Sequence, residues 1–444
     1  MEKLFKVKAQ GSTVSREVIG GITTFLAMVY ILVVNPQILG HPITGLSKDA
    51  VFTATALSAG ITTLIMAFLA NLPIALAPGL GLNAFFTFTV CASMKCSAAF
   101  ALTAVLVEGI IFIALSLFGV REAIIKSIPT SMKKAVSVGI GLFITLIGLS
   151  SSGAGLVSSE TGTVIGFVNL NMQHATAIVA LIGLILTIVL FTLRVPGAIL
   201  ISIALTTIIG IPFGVTKIPE NFKLFSVPAA PHMFNFAFKE AFGSGAALFV
   251  KFIVVLITFL FTDLFDTLGT LMGIAEQGNL KDKNGNIKNA RGALLTDSIG
   301  TVLGACLGTS TVTSFVESTS GVAAGARTGL ASVVTGILFL FALFFSELFA
   351  LVPSCATAPA LIFVGFLMMK SVTEIDFKDP TEGIPAFIAI MVMPFSYSIS
   401  KGIAWGMIAY VITKCAGRKS REIPIVTWIL AAIFLADIIF EAFK

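Results

Sequence analysis

The chain has 444 residues, of which 57% are hydrophobic and only 11% are charged. A soluble domain carries about 25% charged residues, so a soluble chain of this composition would expose much of its apolar surface to water. The net charge of +6 comes from 28 basic and 22 acidic residues, and the basic residues form no dense stripe. The composition excludes a soluble protein and a nucleic-acid partner, and it indicates a polytopic all-α membrane protein whose partner is the lipid bilayer.

Apolar runs bounded by charges, proline or glycine predict fourteen spans, since a membrane helix needs about 20 apolar residues. A further apolar stretch at 424–441 contains Asp437 and Glu441, and it either crosses the membrane or lies at the interface. The predicted spans are 17–39, 50–70, 75–93, 97–118, 131–150, 174–193, 196–212, 246–274, 291–306, 309–325, 328–351, 355–370, 384–399 and 402–415.

The basic residues also predict an orientation. Most of the lysines and arginines fall on the side of the N-terminus when the fourteen spans are threaded through a bilayer. Because cytoplasmic loops are enriched in these residues, we expect the N-terminal segment 1–16 to be cytoplasmic. It is followed by a long apolar run rather than by a cleavable signal.

Two predicted spans are interrupted. Span 3 contains the segment LPIALAPGLGLN (72–83), and span 10 contains GTSTVTSFVE (308–317), which is too polar to face lipid. They occupy matching positions in the two halves of the chain. Because seven spans, an odd number, separate them, the second half would have the opposite orientation in the membrane. Such paired breaks indicate an inverted-repeat transporter with a binding site at the membrane midplane, although two ordinary kinked helices would give a similar pattern.

Few acidic residues lie within the predicted spans, and each is expensive there, at about 2.5–3.5 kcal/mol. Asp263 and Asp266 share one helix face of span 8, and two such close carboxylates do not both ionise cheaply. We therefore expect a proton-coupling role for Asp263, Asp266 and Glu317, against the alternative that neighbouring hydroxyls simply satisfy the acids. For Glu108 a structural role is the stronger interpretation.

Glu317 and Asn83 follow the two breaks, where unpaired backbone N–H groups are available. A carboxylate there can accept from substrate N–H groups, and an amide offers both a donor and an acceptor. The ordinary alternative for Asn83 is a helix cap.

Other chemistries find no support in the sequence. The five cysteines and three histidines show no metal-ligand spacing, and phosphate-binding loops, zinc-protease motifs and nucleophile elbows are missing. We expect no enzyme activity, no metal and no cofactor, with an ion gradient as the energy source.

Four segments together resemble the AzgA-like purine permeases of the nucleobase:cation symporter superfamily. They are GITTFLAMVYI (21–31) with VNP (34–36), APGLGLNAFF (77–86), FDTLGT (265–270) and GTSTVTSFVES (308–318). The resemblance implies a fourteen-span 7+7 inverted repeat with core and gate domains, and import of guanine, hypoxanthine or adenine across the cell membrane, normally with protons.

The resemblance also implies a division of the chain and a set of site residues. Purine contacts carry over to Asn83, Asp263 and Glu317, and Phe315 stands where a tyrosine is often found. Asp266 matches another important position, and a homodimer is possible. The implied parts are the N-terminal segment 1–16, core 17–118, gate 119–243, core 244–351, gate 352–415 and a C-terminal hydrophobic segment 416–444.

Two other functions stay open from the sequence. One is an anion transporter of the same fold, which acids in the binding region argue against because carboxylates repel anions. The other is an intramembrane enzyme or receptor that does not transport.

Overall fold

The computed structural model describes residues 2–118, 129–150, 153–158, 166–168, 170, 174–220, 222–243, 245–278, 280 and 287–442. Within these residues the chain is mostly helical, and the predicted all-α architecture is confirmed. All fourteen predicted spans correspond to helical or broken segments whose ends differ from the predicted ones by a few residues.

The spans have the following bounds. Spans 1 to 7 are Val14–Met28 with Ile31–Leu39, Lys48–Leu69, Leu76–Pro78 with Leu80–Ala84 and Phe85–Ser93, Ala98–Phe118, Thr130–Leu149, Ala175–Thr192 and Ala198–Ile209. Spans 8 to 14 are Ala246–Gln277, Ala290–Leu307, Val312–Ser314 with Ser318–Ala323, Gly329–Ala342 with Leu343–Phe345 and Ser346–Ala350, Ser354–Met368, Pro380–Phe395 and Ile399–Ala416. Short helices outside the spans are Glu2–Phe5, Pro42–Thr44, Phe238–Gly243, Met369–Glu374 and Ser420–Glu422.

Spans 3 and 10 begin as strands, which explains their broken sequences. Strand β1 (Leu76–Pro78) pairs antiparallel with β4 (Val312–Ser314), so that Ala77 lies opposite Thr313. A separate small pair joins β2 (Val157–Ser158) to β3 (Gly166–Phe167). The pair of strands β1 and β4, where spans 3 and 10 meet, is called the crossing. A short helix follows each of these two strands, and in span 3 it continues as a π-helix over Phe85–Ser93. The predicted short breaks in these two spans are confirmed.

A two-stranded sheet inside the protein leaves backbone groups on its outer edges that need partners. Hydroxyl groups of neighbouring helices supply them. Thr63 Oγ1 accepts from the backbone N–H of Leu76 at 3.0 Å, and Ser318 Oγ accepts from that of Ala75 at 3.0 Å. Thr301 Oγ1 donates to the carbonyl of Val312 at 3.3 Å. The serine- and threonine-rich helices around the crossing are therefore part of its hydrogen bonding.

The spans pack in two groups on either side of the crossing. In one group span 11 packs against spans 1 and 2, and span 9 against spans 2 and 4. In the other group span 12 packs against spans 5, 6 and 7, and span 13 against spans 5 and 14. The helix of span 3 touches span 5, so the crossing lies where the two groups meet.

Among the described residues, seven helices are long and apolar enough to cross a membrane by length and composition. Shorter apolar helices among the same residues include Leu80–Ser93, Ala198–Ile209 and Pro380–Phe395. Span 8 has 32 residues, about 48 Å at 1.5 Å per residue. A further helix, Ile425–Ala442, packs against spans 8 and 14, and the side chains of Asp437 and Glu441 lie outside the described residues.

Candidate functional site

Glu317 lies at the N-cap of the short helix Ser318–Ala323, directly after the crossing. Its Oε1 accepts a hydrogen bond of 2.5 Å from the hydroxyl of Tyr30, at the joint between the two halves of span 1. Tyr30 is buried, whereas Glu317 keeps part of its surface open. The carboxylate is thus held in place by one neighbour while its remaining acceptor sites stay available.

Asp266 faces the same break from span 8. A Cβ built on Gly79 would lie 3.7 Å from Asp266 Oδ2, so the carboxylate is beside the N-terminus of the span 3 helix. Like Glu317, Asp266 is partly exposed, and it is close enough to Glu317 and Asp297 to interact with both electrostatically. Two partly exposed acidic residues therefore lie beside the paired strands.

Asp263 has a different environment although it is only one turn away. It is fully buried, and its Oδ1 is 3.2 Å from Thr267 Oγ1. The same hydroxyl lies 2.8 Å from Asp297 Oδ1 and 2.7 Å from Thr313 Oγ1. The Thr267 hydroxyl has only one proton to donate. Its contacts connect span 8 to Asp297 of span 9 and to Thr313 of span 10. Asp263 belongs to this network, whereas Asp266 points to the break.

Asn83 lies in the second turn after β1 and is fully buried. Its Oδ1 accepts from the Ser310 hydroxyl, and its Nδ2 is 3.4 Å from the carbonyl of Pro78. The side chain therefore ties the span 3 helix to the break in span 10. Phe315 is also buried, and its N–H extends the strand pairing by donating to Ala75 at 2.9 Å.

The hydroxyl run before and within β4 connects four different spans. Thr309 accepts from Asn35 of span 1 at 3.0 Å, and Ser310 donates to Asn83 of span 3. Thr311 donates to Glu108 Oε2 of span 4 at 2.7 Å, and Thr313 meets Thr267 of span 8. Four hydroxyls of this run, those of Thr309, Ser310, Thr311 and Thr313, thus each contact a different span, and Glu108 is a partner of the break in this arrangement.

The structure therefore brings Asp266 and Glu317 close together, both partly exposed, and places Asn83, Asp263 and Phe315 in the packed surroundings. Tyr30 and Asp297 also neighbour Glu317 and Asp266. Neither is predicted as a site residue from the sequence, although Tyr30 lies in segment 21–31, which resembles the purine permeases. Among the described residues, no group of histidine, cysteine and acidic side chains could hold a metal ion.

Comparison with known proteins identifies the family of the chain. The permease family model Xan_ur_permease matches residues 15–405. The chain is 43% identical to the guanine/hypoxanthine permease PbuG of Bacillus subtilis (strain 168), over 99% of this chain and all of PbuG. It is 40% identical to the adenine permease AdeQ of Escherichia coli (strain K12), over 99% of this chain and 96% of AdeQ. These relatives point to a transporter rather than an enzyme.

Among solved structures, the transmembrane domain of the cyanobacterial bicarbonate transporter BicA is similar, with a TM-score of 0.65. The match covers 88% of this chain and 96% of that domain at 16% identity, and it shows the shared 7+7 fold alone. The predicted 7+7 repeat and the predicted resemblance to AzgA-like purine permeases are both confirmed. The chain is a multi-pass membrane protein that belongs to the permease family.

Proposed function

We propose that this permease imports purine nucleobases, with guanine, hypoxanthine and adenine as candidate substrates, by proton symport across the cell membrane. The observation that carries the proposal is the pair of partly open carboxylates, Asp266 and Glu317, on either side of the crossed strands. The relatives PbuG and AdeQ, a guanine/hypoxanthine permease and an adenine permease, support the substrate class.

The chemistry of Glu317 suits a purine edge. A carboxylate can accept from both N1–H and the 2-amino group of guanine, or from N1–H of hypoxanthine, and such charge-assisted bonds are strong. Tyr30 occupies one lone pair of Glu317 and so orients the rest of the carboxylate. In this conformation Asn83 Oδ1 accepts a hydrogen bond from Ser310, which stabilises the crossing. We propose that Asn83 contacts the purine in another conformation, in which this hydrogen bond is broken.

Proton coupling is assigned to the acids of spans 8 and 10. Asp266 and Glu317 are near enough to repel each other when both are ionised, and Asp263 is linked to Asp297 through Thr267. A proton bound by one of these acids neutralises its charge and lowers the free energy needed to move the acids within the membrane. We propose that the group loads a proton together with the purine and returns empty after releasing both.

The site lies where two groups of spans meet, which suits alternating access. A Cβ on Gly81 of the span 3 helix would lie 2.7 Å from Ile140 of span 5, so the two groups are in direct contact. We propose spans 1–4 and 8–11 as the core and spans 5–7 and 12–14 as the gate, with a cytoplasmic N-terminus. Movement of one against the other would open the site to each side in turn.

The test is uptake of radiolabelled hypoxanthine and guanine into proteoliposomes with an imposed pH gradient. We expect unlabelled purines to compete, sulfate and bicarbonate not to compete, and a protonophore to abolish accumulation. Glu317→Gln and Asp266→Asn should each lower uptake by about 10- to 100-fold, the value of a hydrogen bond to a charged group. The control is Glu374→Gln, an exposed acid paired with Lys134.

Three results would contradict the proposal in whole or in part. Competition by bicarbonate or sulfate but not by purines would identify an anion transporter instead. Unchanged purine uptake in both Glu317→Gln and Asp266→Asn would remove these acids from the site. Purine uptake that persists with a protonophore would agree with the proposed substrate and contradict proton symport.

A further inference from the structure

A cavity lies beside the N-terminal segment, and none of its lining residues is Asp266, Glu317 or a residue of the paired strands. Its volume is about 290 Å³, near the lower end of small-molecule pockets at about 300–1,000 Å³. The N-terminal segment, the end of span 2, the start of span 9 and the loop before span 11 form its walls. Its polar lining residues are Lys6, Gln10, Asn71, Lys288, Asn289 and Arg327.

The N-terminal wall is anchored rather than loose. Phe5 and Val7 are buried against Ala67 of span 2 and Leu330 of span 11. Asn71 then joins two walls, because its Nδ2 donates to the carbonyl of Phe5 at 3.1 Å and its Oδ1 accepts from the N–H of Gly329 at 2.9 Å.

The wall from span 9 is held in the same way. Asn289 Nδ2 donates to the carbonyls of Leu69 and Ala70 at 3.0 and 3.1 Å. The cavity is therefore bounded by segments that are hydrogen-bonded to each other, and it is a formed part of the fold.

The charge on the walls is positive. Lys6, Lys288 and Arg327 line the cavity, and none of its described lining residues carries a carboxylate. Lys288 Nζ donates to the neutral Gln10 Oε1 at 3.1 Å. Glu17, which neighbours Arg327, accepts from the backbone N–H groups of Arg327 and Thr328 at 2.9 and 3.2 Å, so both of its oxygens are engaged.

Arg327 connects this cavity to the transport site. Its Nη1 donates to the carbonyls of Val322 and Ala326 at 2.6 Å each, which leaves the other guanidinium N–H groups for a ligand. Val322 belongs to the short helix that begins directly after Glu317. A ligand bound to Arg327 would therefore act on the segment that positions the Glu317 carboxylate.

We propose that this cavity binds a phosphate-bearing anion, either a free phosphate compound such as a nucleotide or the phosphate of an anionic lipid headgroup. Three cationic residues that line one cavity match a group with several acceptor oxygens and up to two negative charges. Arginine binds phosphate oxygens in a forked geometry, and lysine acts as a point charge. The proposed cytoplasmic location follows from the proposed orientation, but the binding itself does not depend on transport.

The experiment uses the full chain in nanodiscs. In phosphatidylcholine alone, inorganic phosphate and GMP are titrated by calorimetry. In mixed discs, retained phosphatidylglycerol is counted by native mass spectrometry. The variant Lys6→Gln/Lys288→Gln leaves Arg327 and its carbonyl contacts intact, and the control Lys48→Gln/Lys217→Gln removes two exposed lysines elsewhere.

We expect the wild type and the control to bind the anion about tenfold or more tightly than the Lys6→Gln/Lys288→Gln variant. A difference in GMP or phosphate affinity identifies a free phosphate compound, and a difference in phosphatidylglycerol retention identifies a headgroup. Equal behaviour of wild type and variant toward all three probes overturns the proposal. Displacement of GMP by saturating guanine also overturns it, because the nucleotide would then occupy the purine site.

Discussion

The hydroxyl of Tyr30 donates to Glu317 Oε1 across 2.5 Å, between residues that are 287 positions apart in the chain. The resemblance to AzgA-like purine permeases implies a tyrosine two residues before this glutamate, where this chain has the buried Phe315. Here a hydroxyl reaches the glutamate from span 1 instead. The contact couples the joint of span 1 to the break of span 10.

Tyr30→Phe removes this hydroxyl and little else. A hydrogen bond to a charged group is worth about 1.5–3 kcal/mol, so we expect the KM for hypoxanthine to rise about tenfold or more while the protein stays folded. Initial uptake rates and thermal unfolding of the purified variant measure the two effects. An unchanged KM would mean that the tyrosine does not orient Glu317 toward the substrate.

Adenine and the oxopurines should respond differently to pH. Adenine has no N1–H, so an ionised carboxylate would face its N1 lone pair, whereas a protonated carboxyl can donate to it. We expect the ratio of adenine to hypoxanthine uptake to rise as the pH falls. Taking the ratio cancels the common dependence on the driving proton, and a constant ratio from acid to alkaline pH would count against recognition by Glu317.

Gly79 is required where β1 becomes a helix. A Cβ there would lie 2.7 Å from Thr313 Cγ2 and 3.2 Å from Leu82 Cδ1. Overpacking of this kind costs about 1–3 kcal/mol, so Gly79→Ala should lower both the melting temperature and uptake. Gly243→Ala is the control, because a Cβ at Gly243 meets no atom within 4 Å. Equal melting temperatures would show that the crossing adjusts without cost.

Lys414 bridges two glutamates at the end of span 14. Its Nζ is 2.7 Å from Glu382 and 2.9 Å from Glu422, and its side chain is only 4% exposed. Lys414→Met would remove the charged donor from the partly buried Glu382, at a cost of about 1.5–3 kcal/mol for a hydrogen bond to a charged group.

The control for Lys414 is Lys134→Met, which breaks the more exposed pair with Glu374. A surface pair is worth about 0–1 kcal/mol, so denaturant unfolding should separate the two variants clearly. Similar losses in both would show that burial does not strengthen the Lys414 bridge.

His41 gives the fold a dependence on acid pH. Burial, followed by the charge of Lys48, lowers the pKa of His41 below its ordinary value. The unfolded chain then binds the proton better, so stability falls as the pH drops below about 6.5 toward the folded pKa. In the neutral form His41 Nδ1 accepts from the N–H of Ile43 at 3.4 Å.

His41→Asn keeps an acceptor at this position without a titrating group. We expect the wild type to lose more thermal stability than this variant between pH 7.5 and pH 5.5. Parallel melting curves at both pH values would show that His41 does not contribute to the loss.

The local sequence was enough for the membrane class, the spans and the two breaks. Apolar run length and the position of proline, glycine and charge are properties of neighbouring residues, and hydrocarbon imposes them span by span. The choice of Asp266 and Glu317 followed in the same way, because an acid within an apolar run is conspicuous.

Only the tertiary structure decided which partners meet. Nothing near residue 310 indicates that Ser310 bonds to Asn83, or that Thr311 bonds to Glu108, since these partners lie more than 200 residues away. The spacing of Asp263 and Asp266 predicts one shared environment. In the structure, however, Asp263 is buried against the Thr267 hydroxyl, whereas Asp266 is partly exposed. Helix periodicity sets the face on which a side chain lies, whereas packing of distant spans sets what it touches.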